Sequence, residues 1–118
     1  MDFKQFIDNH IRLLQEGDAG ALVESDYHDD AIMFLMVGEE GQLISGKDAL
    51  REQFDMYLKN IYRGFIALEK MLISEDSICV QAKINTTDGE LRVWDVLCMK
   101  DGKIFRHYSG MMFAITPI

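Results

Sequence analysis

The chain has 118 residues, 48% of them hydrophobic and 27% charged, a composition that fits one globular core burying roughly two-thirds of the unfolded surface and excludes the disordered class. Its formal charge is −8, from twenty acidic and twelve basic residues with no Lys/Arg cluster, which argues against nucleic acid and anionic membrane as partners. Cys79 and Cys98 match no metal-ligand spacing and read as reduced, buried thiols, so neither metal nor cofactor is expected.

Residues 1–15 mix Asp2, Lys4, Asp8 and Arg12 into their apolar positions. That pattern is neither a signal peptide nor a membrane span, and a cytoplasmic protein with one domain over residues 1–118 is expected. Phe3, Phe6, Ile7, Ile11 and Leu14 recur at helical spacing up to Gly17, with His10 on the same stripe. Asp18 can cap a second helix over residues 19–24, and residues 31–37 read as a buried strand. His28, Asp29 and Asp30 have metal-ligating side chains, but their direct adjacency points them apart and reads as a solvated turn. A turn at residues 38–41 leads into a short strand, 42–44. Ser45 with Asp48 resembles a capping box for a third helix whose apolar face is Leu50, Phe54, Tyr57, Leu58 and Ile61.

From Tyr62 onward the period becomes two, and turn residues at Glu75-Asp76, Asp88-Gly89 and Asp101-Gly102 divide the remainder into four strands of a meander. Two-residue loops at those turns set Ala82 beside Asp95, Glu69 beside Ala82, Tyr108 on the other side of Asp95, and Cys79 opposite Cys98. One sheet face then carries Glu69, Met71, Asp95, Leu97, Arg106, Tyr108 and Met112. The other carries Leu68, Trp94, Val96, Phe105, His107 and Met111, which is too apolar to stay wet, so a homodimer through this outer face is expected.

Asp95 is the most informative residue. It lies in the strand-forming run 91–99 and shares its face with Leu91, Val93, Leu97 and Met99. Desolvation there should raise its pKa toward the range of a general acid or base. Two plainer readings compete: a buried Asp satisfied by a tyrosine or backbone amide, or an ion pair with Arg106.

The order of these elements resembles the nuclear transport factor 2-like superfamily, in its SnoaL-like and ketosteroid-isomerase-like branch. The pieces that carry the likeness are residues 13–18 closing the first helix, Tyr27-His28-Asp29-Asp30-Ala31 entering the first strand, Gly46-Lys47-Asp48-Ala49-Leu50 opening the third helix, and the tail from Asp95 through Asp101-Gly102-Lys103-Ile104 to His107-Tyr108. The resemblance implies an α+β fold, a cone-shaped curved antiparallel meander with two or three N-terminal helices enclosing a pocket for small, mostly apolar molecules. By position, Asp95 is similar to the acid/base aspartate of SnoaL-like polyketide cyclases and to the oxyanion-hole aspartic acid of ketosteroid isomerases. The isomerase pattern otherwise fails, since His10 stands where its catalytic tyrosine would and Leu35 where its proton-shuttling aspartate would. Asp95, Arg106 and Glu69 give only a loose analogue of the Asp-Arg-Asp set of the epoxide-hydrolase branch.

Asp95, Tyr108 and His10 are therefore the expected catalytic residues, with Tyr57, Glu69, Met71, Met33, Leu97, Arg106 and Met112 as ligand contacts. Methionine adapts to irregular apolar shapes and suits such a wall. The expected function is cofactor-independent proton transfer by Asp95 on an apolar carbonyl substrate, in a cyclisation, isomerisation or dehydration. The alternative is a non-catalytic module of the same fold that binds a hydrophobic ligand or serves dimeric association.

Overall fold

A computed structural model describes residues 2–112, with side chains through residue 111. Helix α1 (Phe3–Glu16) starts where the Asp2 carboxylate accepts from the Gln5 amide, and stops at Gly17, whose φ of 75° is a left-handed conformation that glycine adopts without a Cβ clash. Helix α2 (Ala19–Asp26) is capped by Asp18 accepting from the Ala21 amide. Strand β1 (Tyr27–Met36) follows directly, then β2 (Gln42–Ser45), α3 (Lys47–Asn60), β3 (Tyr62–Ile73), β4 (Ser77–Thr86), β5 (Gly89–Lys100) and β6 (Lys103–Met112). The capping box expected at Ser45 does not form, because Ser45 ends β2 and Gly46, with no side chain to accept, is the N-cap of α3. Likewise His28, Asp29 and Asp30 open β1 rather than forming a turn. No group of three or more metal-ligating side chains comes together among the described residues, and no described helix is long and apolar enough to cross a membrane.

The sheet corrects the expected antiparallel cone. Its order is β2-β1-β6-β5-β4-β3, with β1 parallel to β6 and every other pair antiparallel. It is a mixed, open sheet, since the edge strands β2 and β3 do not meet. The chain turns back through β2 and α3 before the meander begins, so β1 joins the sheet beside the last strand, running in the same direction as β6. The α+β class and three helices remain. Leu22, Tyr27, Leu50, Ile78, Leu97 and Ile104 are at most 1% exposed and form the centre of the core between the helices and one sheet face. Each such side chain contributes about 1.5–3 kcal/mol by leaving water.

Three register details differ from the expected pairing, and the last two move side chains between faces. First, Thr86 pairs with Gly89, so Asp95 lies opposite Val80 rather than Ala82. That is a slip of two residues, which keeps every face assignment on β4 and β5. Cys79 therefore pairs with Val96 and Cys98 with Ser77, and the two free thiols are diagonal neighbours on one face instead of direct partners. Second, the Asp101-Gly102 turn forms as expected, with φ of 54° and 77° and Lys100 opposite Lys103, but a bulge follows: Met99 pairs with Ile104, whereas Cys98 pairs with Arg106. Phe105 is the extra residue, and its ring packs outside beneath Arg106, at 3.8 Å, and Lys100, at 4.7 Å. Everything after it changes sides, so His107 faces inward and Tyr108 outward.

The third detail is a bulge in β3, where Leu68 pairs with Ala82 and Lys70 with Gln81, which leaves Glu69 as the extra residue. An earlier shift between Phe65 and Ala67 has already turned Leu68 inward, and the Glu69 carboxylate goes outward to Arg92, 2.6 Å from Nε, and to Gln81. These bonds hold its pKa down at about 2. Glu69 is therefore not among the residues that line the cavity described below. Three of the six residues assigned above to the outer face, Leu68, His107 and Met111, lie on the inner face, while Trp94, Val96 and Phe105 stay outside.

Trp94 packs over its cross-strand partner Gly110, where an added Cβ would clash with the indole ring. Gly110→Ala is therefore expected to push the only tryptophan off the sheet at a cost of about 1–3 kcal/mol. A red shift of the intrinsic fluorescence together with a lower urea midpoint would report it. Wild-type emission and midpoint in that variant would refute the packing.

Candidate active site

The helices and the inner face of the sheet border a cavity of about 660 Å³. Its wall is mostly aliphatic and aromatic, with Ile7, Met33, Phe54, Leu68, Val80 and Leu97 among the lining residues. Asp95 reaches this wall because inward positions on β5 alternate Leu91, Val93, Asp95, Leu97. The bulge at Phe105 then brings His107 alongside, with Nε2 2.7 Å from Asp95 Oδ1. Behind it, the Tyr27 hydroxyl lies 2.8 Å from His107 Nδ1, and the two rings stack at 6.0 Å. Tyr27 is fully buried and His107 is 5% exposed.

The direction of the protons in this chain follows from Tyr27. Burial, and after it the charges of Asp95 and Asp26, push its pKa well above the ordinary phenol range, so it stays neutral and keeps a proton to donate. His107 Nδ1 is the acceptor at hydrogen-bond distance. The imidazole then carries its proton on Nε2 and donates it to Asp95 Oδ1. Both ring nitrogens are used, and the histidine is locked between a phenol and a carboxylate. Asp95 Oδ2 has no protein partner among the described residues, and the Asp95 side chain keeps 20% exposure against 6% for His107. The reachable atom of the trio is thus a carboxylate oxygen, aimed by the histidine and open to whatever fills the cavity.

Across from the sheet, Tyr57 on α3 and His10 on α1 also line the cavity. Burial, and secondly the charge of Asp95, raise the Tyr57 pKa, so its phenol stays neutral and can donate a hydrogen bond. Its neighbour Tyr62, 5.7 Å away ring to ring, is pushed up to about 12 by burial and bonds to Gln15. His10 Nδ1 is 2.7 Å from Asp26 Oδ2, and Asp26 Oδ1 accepts from the Ser25 hydroxyl at 2.9 Å.

Residues 7–107 match the SnoaL-like domain family. The chain belongs to that family. No curated protein matches the sequence. Among solved structures, this SnoaL-like chain is similar to a nuclear transport factor 2-like protein of unknown function from Mesorhizobium loti, with 16% identity, 93% of this chain and 90% of that one covered, and a TM-score of 0.78. A candidate SnoaL-like polyketide cyclase from the same organism gives 21% identity, 92% and 98% coverage and a TM-score of 0.72. A candidate isomerase from Bacillus subtilis gives 19%, 92% and 84%, and 0.75. At these identities the likeness is one of fold.

Of the residues singled out in this SnoaL-like sequence, Asp95, His10, Tyr57, Met33 and Leu97 meet at the cavity wall. Tyr108 does not: it is on the outer face, stacked on Phe34 at 4.8 Å, and His107 occupies the place beside Asp95 expected for it. Arg106 is also outside, donating to the carbonyls of Asp30 and Phe105, so it forms no ion pair with Asp95. Met71 points inward but packs on the core rather than the cavity. The Met112 side chain lies outside the described residues. Sequence reasoning missed Tyr27, Asp26 and Ser109, the last being the cross-strand partner of Asp95 on the cavity wall.

Proposed function

We propose that this protein catalyses proton transfer at the carbon next to the carbonyl of a small, uncharged, largely apolar molecule, with Asp95 as the base. The observation that carries the reading is the hydrogen-bonded chain Tyr27–His107–Asp95, which ends in an open carboxylate oxygen on an apolar cavity wall. In the step, the substrate C–H bond breaks, its proton goes to Asp95 Oδ2, and the electron pair moves onto the carbonyl oxygen as an enolate. Tyr57, a neutral donor on the same cavity, supplies the hydrogen bond to that oxygen. The enolate can then be reprotonated, at the far carbon where a conjugated double bond extends it, or attack a second carbonyl whose oxygen takes the proton back from Asp95, which is an aldol cyclisation.

The charge on the wall supports an uncharged substrate. Glu39, Glu40 and Asp95 line the cavity, and among the described residues no Lys or Arg does. An anionic ligand would meet three carboxylates there and no lysine or arginine among the described residues.

The test uses benzylacetone, a neutral aryl ketone, in deuterium oxide. Wild-type protein is expected to accelerate deuterium uptake next to the carbonyl, followed by NMR. If benzylacetone binds and no exchange exceeds the buffer rate, the enzyme reading is lost and a hydrophobic-ligand-binding module is the better description.

A further inference from the structure

The cavity holds a second hydrogen-bonded histidine whose geometry differs from that of His107. His10 Nδ1 is occupied by Asp26 Oδ2 at 2.7 Å. Asp26 is 3% exposed, and its other oxygen is taken by the Ser25 hydroxyl. The His10 ring is further fixed by stacking on Phe6 at 6.1 Å and 15°. This leaves Nε2 as the free ring atom of a residue on the cavity wall. In His107 both nitrogens are spent on orienting Asp95. In His10 one nitrogen is anchored and the other is open, an arrangement suited to exchanging protons with a ligand.

Among the described residues His10 and Ser25 are the side chains bonded to the buried Asp26 carboxylate. Asp26 thus fixes the His10 ring with Nδ1 toward the carboxylate and leaves Nε2 to the cavity. The two dyads are also close. Tyr27 lies 6.1 Å from the His10 ring and 6.0 Å from the His107 ring, and its phenol feels the charges of both Asp26 and Asp95. A proton donor and a proton acceptor therefore face one cavity about one tyrosine apart.

Resting on the reading of Asp95 as base, we propose that His10 is a second catalytic residue, positioned by Asp26, and that the substrate is a neutral β-hydroxy ketone or aldehyde from which the two groups remove water. Asp95 Oδ2 takes the proton from the carbon next to the carbonyl. The electron pair of that C–H bond becomes the C=C bond as the C–O bond breaks, and the departing hydroxyl takes the proton of His10 Nε2 and leaves as water. Asp95 ends protonated and His10 neutral, and a proton returned from one to the other through solvent resets the site. No oxidant, reductant or metal enters the balance.

Two probes separate this step from the one before it. Benzylacetone has no hydroxyl and reads the base alone, by deuterium exchange. The aldol of acetone and benzaldehyde carries the hydroxyl and gives the conjugated enone benzalacetone, followed by absorbance. His10→Gln is expected to lower the rate of water loss by about 100-fold relative to benzylacetone exchange, the usual worth of one acid–base group, with a thermal unfolding curve showing that the variant is folded.

Asp26→Asn supplies the second readout. Without the Asp26 carboxylate Nδ1 loses its anchor, so the ratio of water loss to benzylacetone exchange is expected to fall about 10-fold with KM near wild type, whereas a merely structural role would lower both rates together. Exchange without water loss in the wild type, water loss unaffected by His10→Gln, or an unchanged ratio of the two rates in Asp26→Asn would each overturn the assignment of His10. Absence of exchange in the wild type would instead remove the base itself, and this proposal with it.

Discussion

Asp95→Asn is expected to slow deuterium exchange of benzylacetone by about 100- to 10,000-fold, the range for losing a positioned general base. The amide keeps the shape of the carboxylate, and its carbonyl oxygen can still accept from His107 Nε2, so the imidazole and Tyr27 behind it stay in place. What is lost is the oxygen able to hold a proton. One charge-assisted hydrogen bond becomes a neutral one, which costs about 1 kcal/mol of stability, and the affinity for the ketone stays near wild type because the wall is otherwise apolar. Exchange within tenfold of wild type, with a clear drop in melting temperature, would make Asp95 a structural residue. The two readouts move in opposite proportion under the two roles, so one variant decides between them.

Asp95 was legible in the sequence because alternation alone places it, and because the slip at the Thr86–Gly89 turn was of two residues, which leaves faces intact. His10, Tyr57, Met33 and Leu97 were legible on periodicity for the same reason. Residues beyond a bulge were not. Regular alternation sets Ile104 and His107 on opposite faces, yet both are inside, and the residue that makes this possible is Phe105. The same holds for Leu68 and Met71, with Glu69 between them.

The signal was present but was read the wrong way. Glu69 and Arg106 were the two long charged side chains that regular alternation put on the apolar face. The structure takes each of them out, through a one-residue insertion at Glu69 itself and just before Arg106 at Phe105. Both find partners there, Arg92 for Glu69 and the carbonyls of Asp30 and Phe105 for Arg106. A charge on the inward parity with no acid–base partner in sight is thus as much a mark of a bulge as of a site. The parallel β1–β6 pairing lay beyond reach for another reason. It joins residues some seventy positions apart, such as Met33 and His107, and no local pattern records such a pairing. Tyr27 and Asp26 stayed hidden with it, because their roles exist only once β1 lies beside β6 and α2 beside α1.

The same pairing sets the expected outcome of a double-mutant cycle at Tyr27 and His107. His107→Leu removes the acceptor of a fully buried phenol and the donor to Asp95. A stranded buried hydroxyl costs about 1–3 kcal/mol, and the lost charge-assisted bond adds to it, so a total of about 2–4 kcal/mol in urea unfolding is expected. Tyr27→Phe alone strands His107 Nδ1 and costs about 1–2 kcal/mol. If the costs came from lost packing they would add. They should not, because in Tyr27→Phe/His107→Leu both polar partners are gone and a phenyl ring faces an aliphatic side chain, with no orphaned group at that contact. The double variant is therefore expected to be at least as stable as His107→Leu, with a coupling of about 1–3 kcal/mol. Additive losses would mean that the Tyr27 hydroxyl finds another acceptor, and the proton direction assigned to the Tyr27–His107–Asp95 chain would fall with them.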